Sequence, residues 1–257
     1  MTQHANLTNP FVRVDARVVL YEHPTGWSPD TYARYEEATR RVLNRAFSTR
    51  TGQLVRDAIR RPVTIAPWPD PSVCNADANA LVRRDALRRG AQAYYCADIP
   101  ATPIVETGTP DPHAQTGTGR GSDAVVRFTP RQWETGICTI FGNSPGGRSD
   151  EVLLHELFHA LRVTMALRDC SALAGGYDTF GEFAAIAVTN MHSRELGRPL
   201  RRNHGGFTHV IGAERTYNTT EHAAWTLRLC RQMPELTRRL SRIPLSVCDF
   251  NPFLTVY

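Results

Sequence analysis

The sequence predicts an α+β fold, and three observations carry the prediction. Short apolar runs such as "PVTIAPW" and "AVVRF" read as strands, and they fall before residue 129. Segments with apolar residues at helical spacing dominate the second half. The chain has 257 residues, 41% hydrophobic and 21% charged, which suffices for one domain with a substantial core. We therefore expect a single domain over 1–257. Its N-terminal helical and sheet part runs to about residue 96, a mobile loop covers about 97–122, and a core that carries the chemistry covers about 123–257.

The elements follow in order. "RVDARVVLY" reads as a strand after an extended start. Ser28 as N-cap and Pro29 at the first helical position open an amphipathic helix, with Tyr32, Tyr35, Ala38, Val42 and Ala46 on its apolar face. "TGQLVRDAIRR" is a short helix, and "PVTIAPW" is a strand stopped by "PWPDPS". Residues 75–90 read as a further helix closed by Gly90. The stretch 97–122 is rich in Pro, Thr, Gly and Asp without a hydrophobic period, hence the expected loop. "AVVRF" is a strand ended by Thr129-Pro130. After "GNSPGGRSD" comes the segment "EVLLHELFHALRV", with Ser149 or Asp150 as N-cap. Past the loop "DCSALAGGY" lie the helix "TFGEFAAIAVTNMHSREL", a helix over 220–232 and a short helix in "PELTRRLSRI".

Composition excludes several classes. No apolar run approaches the roughly 20 residues of a membrane helix. The first twenty residues lack the basic start and apolar core of a signal peptide, so export would use another route or a leader already removed. All thirty basic residues are arginine. Codon bias accounts for that, as does selection against ε-amines that could be ubiquitinated in a eukaryotic cytosol. Six cysteines at 74, 96, 138, 170, 230 and 248 contain no C-x-x-C spacing, so a zinc ribbon is excluded. Their scatter favours buried free thiols over a disulfide scaffold.

The chemistry concentrates in "HELFH". On a helix His155 and His159 lie on one face, one turn apart, and Glu156 lies beside them. The flanking Val152, Leu153, Leu154, Leu157, Phe158, Ala160 and Leu161 predict a helix buried nearly all round. Burying two histidines and a glutamate without partners costs several kcal/mol, a cost that a metal shared by His155 and His159 relieves. This is the H-E-x-x-H arrangement of zinc hydrolases, with Glu156 as general base. The competing reading is a pair of hydrogen-bonded core histidines with Glu156 at the surface.

A catalytic Zn2+ needs a third protein ligand and an open position. A histidine six residues beyond His159 is excluded, because that position is Met165. Glu182 at the start of the next helix fits, although Thr179-x-x-Glu182 also matches a capping box in which the glutamate only caps. Asp178 is the main rival, then Asp169 and Cys170. The oxyanion of a hydrolytic transition state needs a donor. Arg201 and His204 supply one, Tyr217 is a weaker alternative, and Arg202 reads as a solvated surface group. "AVVRF" is a candidate edge strand for pairing with an extended peptide.

With these residues the chain resembles bacterial effector and toxin zinc metallopeptidases of the NleD-like type, and more distantly clostridial neurotoxin light chains. The resemblance covers about residues 118–207: "GTGRGSDAVVRFTP", then "LLHELFHAL", then a glutamate-bearing helix running into "TN" and "RELGRPLR". It implies a zincin-like fold with a small mixed or antiparallel sheet, a central HExxH helix, one Zn2+ and cleavage of a host protein after delivery into a host cell. Such families pair an arginine with a tyrosine three residues on. Here the pair reads Arg201 and His204.

Two other readings compete. A zinc-dependent amidase or small-peptide hydrolase would use the same residues in a closed pocket. A nucleic-acid binder with a structural metal would account for a pI near 9.1 and six Arg-Arg pairs. Those arginines are spread along the chain without interleaved aromatics, which argues against the binder.

Overall fold

Ser28 accepts a hydrogen bond from the Thr31 N–H, and Pro29 occupies the first turn, so the first helix begins where the sequence signals it. In the computed structural model, residues 19–21, 26–68, 72–80, 124–165, 167–169, 171–173, 175–204 and 220–257 are described. Strand β1 (Val19–Tyr21) precedes helices α1 (Pro29–Ala46) and α2 (Arg50–Ala58), then β2 (Val63–Ala66), β3 (Asp77–Ala80) and β4 (Ala124–Arg127). A short helix α3 (Pro130–Glu134) and a 3-10 turn (Ile137–Phe141) lead to α4 (Ser149–Thr164). A small hairpin of β5 (Ala172–Leu173) and β6 (Asp178–Thr179) runs into α5 (Phe180–Glu195). Helices α6 (Thr220–Gln232) and α7 (Pro234–Ser241) follow. The chain is a mixed α+β protein.

The main sheet has the order β1-β2-β4-β3. β1, β2 and β4 are parallel, with Val63 opposite Ala124, and β3 runs antiparallel to β4, with Asp77 opposite Arg127. Strand β4, expected at an edge, is internal, and among the described residues β1 and β3 are the two edges. In β4, Ala124, Val125 and Val126 are all buried, as a strand flanked on both sides requires. Of the helix expected over 75–90, residues 77–80 form strand β3, because ladder pairing with β4 outweighs the helix propensity of an alanine-rich segment, and residues 81–90 lie outside the described residues.

Helix α4 packs on β3 and β4 and lies against α1 and α5. Every residue of α4 except His159 is buried, as its apolar run predicts. One buried apolar cluster runs from Tyr32 through Val63, Phe128 and Leu154 to Phe253. Helix α4 begins at Ser149, so Asp150 lies inside its first turn and Glu151 accepts from the Arg148 N–H. Asp150 has other partners, described below.

The expectation of free thiols holds for buried Cys230 and Cys248 and fails for Cys74 and Cys138, which form a disulfide. The bridge ties the approach to β3 to the 3-10 turn before α4, a contact between distant segments that spacing does not reveal. Cys96, Cys170, Tyr217 and the stretch 97–122 lie outside the described residues. Among the described residues no helix is long and apolar enough to cross a membrane.

Candidate metal centre

Helices α4 and α5 bring the predicted ligands together. His155 and His159 project from α4, and Glu182 projects from the first turn of α5. His155 Nε2 lies 3.0 Å from Glu182 Oε2 and 3.0 Å from His159 Nε2, and His159 Nε2 lies 3.3 Å from Glu182 Oε2. Two ligands of a tetrahedral metal, each about 2.0–2.1 Å from it, stand about 3.3 Å apart. The three atoms therefore have close to the spacing of a coordination shell.

Hydrogen bonding cannot satisfy this triangle. A neutral imidazole Nε2 carries at most one proton, yet His155 Nε2 and His159 Nε2 each face the other and the carboxylate. At least one contact must set like partners against each other. A cation at the centre satisfies all three.

Glu182 resolves the capping question in an unexpected way. Thr179 does cap α5, its hydroxyl accepting from the Glu182 N–H at 3.3 Å. The Glu182 carboxylate turns to the histidines instead of returning to the cap. Its backbone serves the helix and its side chain serves the site.

His204 closes on the same carboxylate, its Nε2 3.3 Å from Glu182 Oε2. His155, Glu182 and His204 each offer a ligand atom, all within 4.8 Å of one another, and this group could bind a metal. Asp178, the rival ligand in sequence, instead holds His204, with Oδ2 2.6 Å from Nδ1. Asp178 has a left-handed backbone (φ 64°), which aspartate tolerates better than most residues. Asp169 is drawn elsewhere, to Arg228, Gln232 and Ser171.

A cavity of about 200 Å³ opens beside the ligands, lined by His155, Glu156, Arg201, His204, Trp133 and Phe141. Arg201 is 7% exposed and donates to the carbonyls of Asn203 and His204. Asn190 of α5 clamps its backbone, accepting from the Arg201 N–H and donating to its carbonyl, both at 2.8 Å. Gly146 (φ 74°) passes so close that an added Cβ would lie 2.7 Å from Arg201 Cδ. Arg202 is exposed, as expected.

Burial shapes the charges. Desolvation pushes His155 down to about 3, with the Glu182 hydrogen bond opposing. Burial and then the charges of Glu182 and Asp77 push the Glu156 carboxyl well above its ordinary range, while Arg201 opposes. Burial also acts to raise Glu182, but His159 and hydrogen bonds from both α4 histidines hold it well below that range.

Sequence reasoning missed Asp77 and Asn190. Asp77, 4% exposed on β3, pairs with Arg127 at 3.6 Å, and its charge bears on Glu156 because α4 packs on β3. Asn190 carried a signal, an amide in the apolar run "AAIAVTN". Compared with known protein families, curated proteins and solved structures, the chain matches none.

Proposed function

We propose that this chain is a zinc-dependent endopeptidase of the gluzincin type, acting on a protein substrate. The observation that carries the reading is the triangle of His155 Nε2, His159 Nε2 and Glu182 Oε2 at 3.0–3.3 Å, set beside Glu156 at a cavity. Two nitrogens and one carboxylate oxygen are a donor set that suits Zn2+. A bound Zn2+ would polarise a scissile carbonyl, acidify a water and, by its charge, favour the carboxylate form of Glu156.

The chain's own residues supply the rest. Glu156 takes the proton from the attacking water and passes it to the leaving amine. Arg201 and His204 stand on the cavity wall as candidates for holding the oxyanion. The cavity, near 200 Å³, is smaller than the roughly 300–1,000 Å³ of small-molecule sites and suits one side chain of a longer peptide. That favours an endopeptidase over an amidase with a closed substrate pocket. The zincin-like assignment rests on the HExxH helix with its glutamate on the following helix.

Metal content and cleavage of a peptide library, read by mass spectrometry, test this reading. Wild type should hold about one zinc, and His155→Ala and Glu182→Ala should lose it. Glu156→Ala should keep the metal and lose cleavage by roughly 10²–10⁴-fold. Full zinc in Glu182→Ala would move the third ligand elsewhere.

Delivery into a host cytosol is part of the proposal and is supported by the lysine-free chain. Surface Arg→Lys changes should shorten its half-life in host extract, and unchanged turnover would count against delivery.

A further inference from the structure

We infer that His204 is a fourth protein ligand of the metal centre, held in its ligating orientation by Asp178, so that the described conformation is a closed, latent form of the site. The inference rests on the zinc reading above and deepens it by naming how the site is regulated.

The orientation of the ring is the starting point. A carboxylate only accepts, so His204 Nδ1–H donates to Asp178 Oδ2 at 2.6 Å, which leaves Nε2 as the nitrogen turned to the site. That nitrogen faces Glu182 Oε2 at 3.3 Å. This separation is close to that of two ligands in a tetrahedral zinc shell. A carboxylate on the remote ring nitrogen is also how ligating histidines are commonly oriented.

The backbone is fixed to the same support. The His204 N–H donates to the Gly176 carbonyl at 2.9 Å, and Asp178 lies two residues further along that hairpin. His204 is thus held from two points of the turn that leads into α5 and Glu182.

Exposure identifies the displaceable ligand. The side chain of His204 is 40% exposed, against 6% for His155, 18% for His159 and 19% for Glu182. Four protein ligands make a closed zinc site, and three leave the open position that catalysis needs. Substrate therefore displaces His204, the ligand nearest solvent. The displaced ring remains on the cavity wall beside Arg201 and Glu156. The change is ligand for ligand, with no redox step.

X-ray absorption of the zinc-loaded protein and chelator-competition affinities test the inference without an activity readout. Wild type should fit three imidazoles and one carboxylate oxygen. His204→Ala should fit two imidazoles and bind Zn2+ roughly 10- to 100-fold more weakly, with a smaller loss in Asp178→Asn. One equivalent of zinc with two imidazoles, and an unchanged affinity in His204→Ala, would overturn the inference and leave the three-ligand site standing. His204 would then only bridge the two carboxylates. A wild type that takes up no zinc overturns both readings. The absorption measurement needs no variant, so a poorly folding substitution does not decide the matter.

Discussion

Helices α4 and α5 carry two clusters of histidines and carboxylates, and their chemistry is opposite. At the start of α4 and the end of α5, Asp150 accepts from His192 Nε2 at 3.0 Å and from Arg198 at 2.6 Å. His192 Nδ1 meets the Thr49 hydroxyl at 2.8 Å, and Ser193 donates to Glu151 at 2.7 Å. Glu195 accepts from the Arg50 and Thr51 N–H groups, tying the start of α2 to the same end of α5. Each carboxylate there meets a donor or a cation, and His192 is fully buried. Further along α4, three histidine nitrogens converge on one carboxylate oxygen beside a cavity. No ion pair between Glu182 and an arginine is present among the described residues. The difference teaches that residue type does not mark a metal site. Complementary donors make a lock, and convergent acceptors call for a cation.

The largest effect should come from breaking the lock. Asp150→Ala takes the acceptor from buried His192 Nε2 and leaves half-buried Arg198 with only Glu151 at 3.5 Å, and should cost about 3–5 kcal/mol in denaturant unfolding. The folded fraction should still bind zinc in full, and a loss of metal stoichiometry there would join the two clusters into one unit.

Removing the proposed Zn2+ should act on the other cluster alone. If free Zn2+ stands a hundredfold above its Kd, chelation should lower stability by about 2.7 kcal/mol. Thermal melts with and without chelator should show that shift in wild type and none in Glu182→Gln.

Acid should then separate the clusters. Burial acts to raise the Asp150 carboxyl, but hydrogen bonds from His192 and Arg198 hold it down to about 2, below its ordinary 3.8. A depressed carboxylate contributes fully above the unfolded value and loses its contribution as pH falls through the folded one. About 2 kcal/mol should therefore disappear between pH 4 and pH 2. The slope of chelated wild type over that window should flatten in Asp150→Asn, and an unchanged slope would remove the lock from acid unfolding.

The smallest change concerns the cavity wall. Asn190→Ala removes both hydrogen bonds to the Arg201 backbone and should cost about 1–2 kcal/mol. Zinc content should stay at the wild-type level while cleavage falls. Loss of zinc instead would make Asn190 part of the ligand frame.

Much of this was legible in the chain. The period of "EVLLHELFHALRV" placed His155, Glu156 and His159 on a buried helix, and Ser28-Pro29 marked the start of α1. The alternative roles of Glu182 were legible as well, but local pattern could not choose between them. β3 was misread because strand formation over 77–80 depends on a partner more than forty residues away. The Cys74–Cys138 bridge, across a separation of 64 residues, escaped for the same reason.

The sequence by itself determined the elements whose signals are local: caps, periods, and the spacing of four that puts two imidazoles on one face. Only the tertiary structure decided where the carboxylates go. It sent Asp150 to a lock, Asp178 to the back of His204 and the Glu182 side chain to the candidate metal site. The physical reason is that a side chain's role depends on the donors and acceptors that packing brings within about 3 Å, and neighbours along the chain do not specify them.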